Sequence, residues 1–423
     1  MNQTASEVKY AHRIAPCPAY DVAGTEQWLT DMAARGLHLS PDGFALGIVS
    51  FERGEPRQMR YRLDAIPRRG FFDEGDAPDG EAVELAAEYG WEYVGRRGEF
   101  YIYRAEGEDA RELNTDPRVQ ALAMRAVRAR QRWALLDILF WLLLYPLARN
   151  GGLLYRTPLL TSLTLGTWLT LFSMAMVTWY CARAVIHAIA LERLYRRLSR
   201  GEMSVARGND PHRARRHRAL TVIRIVLTVV WIVLLAVRTL NLTVDKGEIG
   251  LAAYLDGGGE IPFATVTELV ETQGEVSDSR HTMNAFGNTV RVWRDPIAPV
   301  NFDYCEITEV TLADGRVIEG GLYVEYHEAA NARIAAALAR EHLRFDRRRG
   351  KRYDPLSVEL SASVDQIYAY LDNLHMPTVI IQVGERVIRA SFHRYSESTE
   401  IPIEVWAQAV AQSICQSGTG GLS

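Results

Sequence analysis

The sequence predicts an α+β multidomain membrane protein, with an N-terminal α/β sandwich, three transmembrane helices and a C-terminal α+β domain. Three observations predict it. Apolar stretches with at most one charge each run from Trp133 to Ala148, Thr157 to Ala182 and Ile225 to Val237; arginines flank them very unevenly; and the segments on either side have the mixed composition of folded domains. The expected division is an inner domain over residues 1–112, a membrane region over 113–242 and an outer domain over 243–423. Within the membrane region the helices are expected at about 133–149, 158–182 and 219–240, with a basic loop at 183–218.

The inner domain can be read element by element. A first strand is expected near His12 to Cys17, with Pro16 limiting it. Asp21 suits the N-cap of a helix that carries Trp28, Leu29, Met32 and Ala33 on one face and closes at Gly36. Phe44 to Glu52 and Met59 to Asp64 alternate as strands, and Arg53-Gly54-Glu55-Pro56 between them predicts a hairpin. A second helix from about Gly80 to Tyr89 ends at Gly90, and Trp91 to Val94 pairs with Glu99 to Arg104 across Gly95-Arg96-Arg97-Gly98. The order β-α-β-β-α-β-β is that of a ferredoxin-like sandwich with one added strand.

The same residues carry a family likeness. Tyr20-Asp21, Glu26, Trp28-Leu29, Met32-Ala33, Gly36 and Leu39, then Phe51-Glu52-Arg53-Gly54-Glu55-Pro56, Tyr61-Arg62, Gly90-Trp91-Glu92-Tyr93-Val94 and Tyr101-Ile102-Tyr103-Arg104, resemble a "domain of unknown function" family. Its members are membrane proteins of Gram-positive bacteria, often found near PadR-like transcriptional repressors. The resemblance implies an accessory or regulatory membrane protein with a cytoplasmic domain and spans, and it brings no catalytic residue with it.

Pro117, after Thr115 or Asp116, marks a helix start, and that helix is expected to run on into the first span. The first stretch holds one charge, Asp137, and spans only with help from Trp133, Trp141, Tyr145, Arg130 and Arg132 at its borders. The second is uncharged throughout and is expected to continue through Leu191 to Arg200 as a basic amphipathic helix on the inner surface. The third reaches spanning length between Ala219 and Leu242 if Arg224 and Arg238 extend toward the head groups. No apolar core of the signal-peptide kind occurs in the first hundred residues.

Arginines orient the spans. Arg125, Arg128, Arg130 and Arg132 precede the first, and only Arg149 and Arg156 follow it, whereas ten arginines from Arg183 to Arg218 separate the second from the third. That loop is expected in the cytoplasm, with the N-terminus inside and the C-terminus outside. Asp137 and Arg224 lie near the same face and form either an intramembrane ion pair, two separately snorkelling charges, or part of a proton or ion path.

In the outer domain, Val310 to Leu312 and Arg316 to Glu319 flank the turn Ala313-Asp314-Gly315, and Leu322 to Tyr326 extends the sheet. A helix over Ala329 to Leu343 follows, then strands at Ile367 to Leu371, Thr378 to Val383 and Arg386 to His393. Pro402 opens a last helix to about Cys415. The domain could contain two similar α/β halves.

Composition limits function. The net charge is -4, with the positive excess confined to the membrane region, so anionic lipid head groups near the basic loop are the expected partner rather than nucleic acid. The only lysines are Lys9, Lys246 and Lys351, so the arginine richness can reflect genome composition rather than recognition. Cys305 and Cys415 share the outer domain and are either bonded or free thiols. No HExxH, CxxC, GxSxG or Walker pattern occurs. His281 with Asp278 and His375 with Asp372 suit surface loops, and His327 with Glu328 suits a helix cap. No catalytic residue, cofactor or metal is therefore expected. The leading expectation is a non-enzymatic membrane sensor or regulator that links an extracytoplasmic domain to a cytoplasmic protein-binding domain; the alternatives are an accessory subunit of a transporter or envelope complex and, third, a membrane-bound enzyme. The oligomeric state is open.

Overall fold

The computed structural model describes residues 10–45, 47–66, 77–107, 110–111, 117–140, 157–202, 211–243, 247–281, 287–348, 354–371, 376–394 and 402–416. The chain forms two compact units, Met1–Leu143 with Ala175–Ile232, and Leu144–Met174 with Val233–Ser423.

Unit 1 begins with β1 (Tyr10–Ile14), α1 (Val22–Ala33), β2 (Leu37–Ala45), β3 (Ile48–Arg53), β4 (Met59–Ala65), α2 (Gly80–Glu88), β5 (Glu92–Arg97), β6 (Phe100–Glu106) and α3 (Pro117–Leu139). The Asp21 carboxylate accepts from Gly24 N at 3.1 Å, as its N-cap position requires. Gly36 has φ +74, and a Cβ there would collide with the Gly54 carbonyl oxygen, so glycine is needed on both counts. The buried face of α1 is Trp28, Leu29, Met32 and Ala33, packed with Leu39, Val49, Phe51, Tyr61 and Ile102.

The sheets correct the ferredoxin-like expectation. There are two three-stranded antiparallel sheets, ordered β1-β3-β2 and β4-β6-β5. β3 is hydrogen-bonded to β1 on one edge and β2 on the other, so it has no edge left for β4. The expected hairpin across Arg53–Pro56 does not form, and β4 pairs with β6 instead, Met59 opposite Glu106. The β5–β6 hairpin forms, but with a tighter turn than expected: Gly95, Arg96 and Arg97 belong to β5 and pair with β6, and Gly98, at φ +60, turns the chain.

The membrane region is also revised. Among the described residues two helices, not three, are long and apolar enough to cross a membrane. They lie in α5 (Thr167–Ser199) and α6 (Pro211–Thr243), with 6% of each apolar window buried. The first expected span is described only through α3 to residue 140; the rest of it lies outside the described residues. α3 itself carries five arginines, and its apolar stripe of Ala121, Met124 and Val127 packs with Ala65, Phe100, Leu191 and Leu198. The far end of α5 is thus held against protein through Leu191 and Leu198, where a helix lying on a lipid surface was expected. The second stretch is broken: Gly166, at φ +93, separates α4 (Pro158–Leu165) from α5.

Unit 2 continues with β7 (Ile249–Gly250), α7 (Leu251–Asp256), α8 (Val266–Glu271), β8 (Val276–His281), β9 (Thr289–Trp293), β10 (Val300–Leu312), β11 (Val317–Glu328), α9 (Ala332–Arg348), β12 (Asp354–Leu356), β13 (Gln366–Leu371), β14 (Pro377–Val383), β15 (Arg386–Arg394) and α10 (Ile403–Gln416). Among the described residues its strands form one nine-stranded sheet, ordered β12-β13-β14-β15-β11-β10-β9-β7, with β8 also on β10. The β10–β11 hairpin turns at Gly315, φ +87, as the Ala-Asp-Gly signal predicts. One sheet face, with Phe302, Tyr304, Val324, Tyr326, Ile381 and Ile388, is covered by α8 and α10 through Val266, Leu269, Trp406, Val410 and Ile414. The other is covered by α9 and α4, through Ala335, Leu338, Leu343 and Leu163 against Ile380 and Val387.

Cys305 and Cys415 are both free thiols in the structure, the second of the two alternatives that the sequence leaves open. Side chains alternate along a strand, and Tyr304 lies on the face that α8 and α10 cover, so Cys305 faces the other way and the sheet separates it from the Cys415 end of α10.

Candidate functional site

A cavity of about 730 Å³ lies within unit 1, between the first sheet, the β5–β6 hairpin, α5 and α6. Its wall includes Arg96, Arg97, Arg183 and Arg224, with His187, His217, Cys17, Tyr20 and Thr221. Among the described residues of the wall Glu99 is the one carboxylate, and it is paired with Arg130 at 2.9 Å. Arg97 is 6% exposed and is held by the Cys17 carbonyl and Thr25 Oγ1, with its guanidinium 5.1 Å over the Phe44 ring. Burial presses against its charge, and Cys17 and Asp21 work the other way. Arginine stays ionised in such a setting, so this is a fixed positive charge. Arg224 stands in this cationic wall, and Asp137, with which the sequence leaves a pair open, is exposed on α3 and is not among the wall's residues.

A second constellation is enclosed in unit 2, between the β11–β15 face and α9. Asn301 Oδ1 lies 2.7 Å from His327 Nδ1, and His327 Nε2 lies 3.1 Å from His342 Nε2, the two rings stacked at 5.2 Å. One ring must donate and the other accept at that contact, so the pair cannot be doubly protonated in this geometry. His342 Nδ1 is 3.1 Å from Glu325 Oε2, Arg389 reaches Glu325 at 3.6 Å, and Asp346 takes a two-pronged contact from Arg389 at 2.6 and 3.1 Å. Tyr370 donates to the same carboxylate.

Charge is finely set there. Burial, then the neighbouring His342, hold His327 down at about 3, so it is neutral near pH 7. Burial works against ionised Glu325, but Arg389 and His342 outweigh it and hold its carboxyl below the usual range. Burial likewise works against Arg389, and Glu325 and Asp346 outweigh it. Asp303, opposite Glu325 on β10, is pushed up to about 7 by burial and by Glu325.

His342, Asn301 and Asp346 are at most 1% exposed, while Glu325, 41% exposed, brings the network to the surface. Its geometry suits a satisfied polar core, and no group of three His, Cys, Asp or Glu among the described residues could hold a metal. His327 is thus a strand residue, not the helix cap expected; α9 begins later, at Ala332. The legible signal was on α9, where His342 and Asp346 stand four apart on the face carrying Ala335, Leu338 and Ala339. His281 contacts Thr308 Oγ1 at 3.1 Å, while Asp278 pairs with Arg280. His375 and Asp372 lie outside the described residues.

Residues 21–136 match the model of a family described as "Protein of unknown function (DUF2812)". The match begins at the Asp21 cap, takes in β2 to β6 and ends within α3, so it supports an N-terminal domain of unknown function. No curated protein and no solved structure matches the chain.

Proposed function

We propose that the protein is a non-enzymatic membrane sensor or regulator in which α5 and α6 join an extracytoplasmic unit 2 to a cytoplasmic unit 1. The observation that carries this reading is that α5 is gripped in both units. In unit 2, Asp295 accepts from Thr167 N at 2.8 Å and from Thr167 Oγ1 at 2.6 Å, capping the start of the helix. In unit 1, Leu191 and Leu198 bury the end of the same helix in an apolar cluster. A carboxylate at a helix N-terminus is favourable electrostatically as well as by hydrogen bonding, and a continuous helix carries a displacement at one end to the other.

The arginines from Arg183 to Arg218 motivate the orientation, with the C-terminal domain outside. A protein is the proposed partner of unit 1, in keeping with the resemblance to Gram-positive membrane proteins found near PadR-like repressors. The test is recovery of bound proteins from membranes with the tagged full chain and with a chain lacking residues 1–110. Loss of every specific partner on deletion supports the regulator. Unchanged partners point to an accessory subunit of a transporter or envelope complex.

A further inference from the structure

We propose that the arginine-lined cavity of unit 1 is a binding site for a phosphate-bearing anion, presented by a lipid head group or by a small phosphorylated solute. This does not rest on the sensor reading, because the cavity lies wholly within one unit.

Four arginines and two histidines converge there, and among the described residues of the wall the one carboxylate, Glu99, is engaged by Arg130. A neighbouring cavity of about 400 Å³, which shares Tyr20 and Ile186 with the first, adds Arg193, Arg197 and Arg213, with Asp21 the carboxylate among its described residues. Like charges gathered around one space repel, and a bound anion relieves that repulsion. Phosphate suits arginine in particular, since two parallel N–H donors of a guanidinium meet two phosphate oxygens. The wall is also partly set in advance: Arg97 is fixed by Cys17, Thr25 and Phe44, and the Tyr20 and His187 rings are 5.3 Å apart. The volume falls in the range of sites for small molecules and head groups rather than bare ions.

Position supplies the second argument. Arg183 is the first charge after the uncharged run Thr157 to Ala182, and Arg224 the last before Ile225 to Val237. Both therefore stand where apolar helix gives way to basic helix, the level at which phosphates of a bilayer would lie.

The test uses the full chain in nanodiscs of phosphatidylcholine with and without phosphatidylglycerol, read by thermal unfolding, and in phosphatidylcholine alone titrated with glycerol 3-phosphate. A stabilising shift with phosphatidylglycerol, lost in Arg183→Gln/Arg224→Gln, assigns a lipid head group. A saturable shift with glycerol 3-phosphate, weakened roughly tenfold or more in that variant, assigns a soluble ligand. No shift from either probe, or shifts unchanged in the variant, overturns the proposal. Ile186→Trp keeps every arginine while filling the cavity and serves if the double variant gives no cooperative transition: reduced shifts support the site, and unchanged shifts refute it.

Discussion

Asp346 shows how a single buried charge is tolerated. It is 1% exposed, accepts from Tyr370 and takes both prongs of Arg389. Asp346→Ala takes away the carboxylate that the guanidinium grips with two hydrogen bonds, and the expected cost is about 3–5 kcal/mol, read by thermal unfolding of the purified chain. Asp346→Leu with Arg389→Met removes both charges and is expected to recover most of that loss; a double variant as unstable as the single would show that the pair itself stabilises the fold. His327 adds a pH dependence. Its folded-state value near 3 lies below the unfolded value of about 6.5, so the unfolded chain gains the proton first and stability falls as pH drops through that window. Glu325 acts in the same direction below the ordinary carboxylate range, while Asp303, raised, gives stability that is lost as pH rises toward 7. Asp303 is 44% exposed, so solvent screens its opposing effect. Between pH 7 and pH 5 the His327 contribution is about 2 kcal/mol. His327→Gln is expected to lose less stability than the parent over that interval; equal losses would remove His327 from the account.

Elements were legible wherever local chemistry decides them. Asp21, Gly36, Gly98 and Gly315 mark caps and turns that any partner strand would respect, and all four stand where the sequence placed them. Pairing was not legible: β3 and β4 alternate as a hairpin would, yet β3 has both edges taken, a fact set by β1 and β2. Nor was the Gly166 break, because an uncharged apolar run reads as one helix until a packed neighbour claims part of it; here α4 packs on α9, and Glu341 accepts from Leu160 N at 3.0 Å. The cavity was half legible. Arg224 stood out as a charge inside the third span, but Arg183 read only as one of ten loop arginines, and Arg96 and Arg97 as turn residues, until the fold set them beside one another. The cap that holds α5 gives an element-scale expectation. Asp295→Ala leaves Thr167 N without its acceptor and is expected to cost about 1–3 kcal/mol; backbone hydrogen exchange at the first turn of α5 is expected to quicken. Unchanged exchange there would mean that unit 2 does not grip the helix through Asp295.

At the scale of the whole molecule, two folded units share two apolar helices, and the proposed regulator follows only if a membrane separates the units. α5 and α6 expose almost all of their apolar windows, which suits lipid contact and is unfavourable in water. The most direct measurement is labelling of single cysteines in intact cells by a membrane-impermeant maleimide, in a chain with Cys17, Cys181, Cys305 and Cys415 replaced. Asp314→Cys, at the exposed β10–β11 turn of unit 2, is expected to label at once, and Glu55→Cys, exposed in unit 1, only after permeabilisation. Equal labelling of the two positions in intact cells, or protection of both, would contradict the two-sided arrangement.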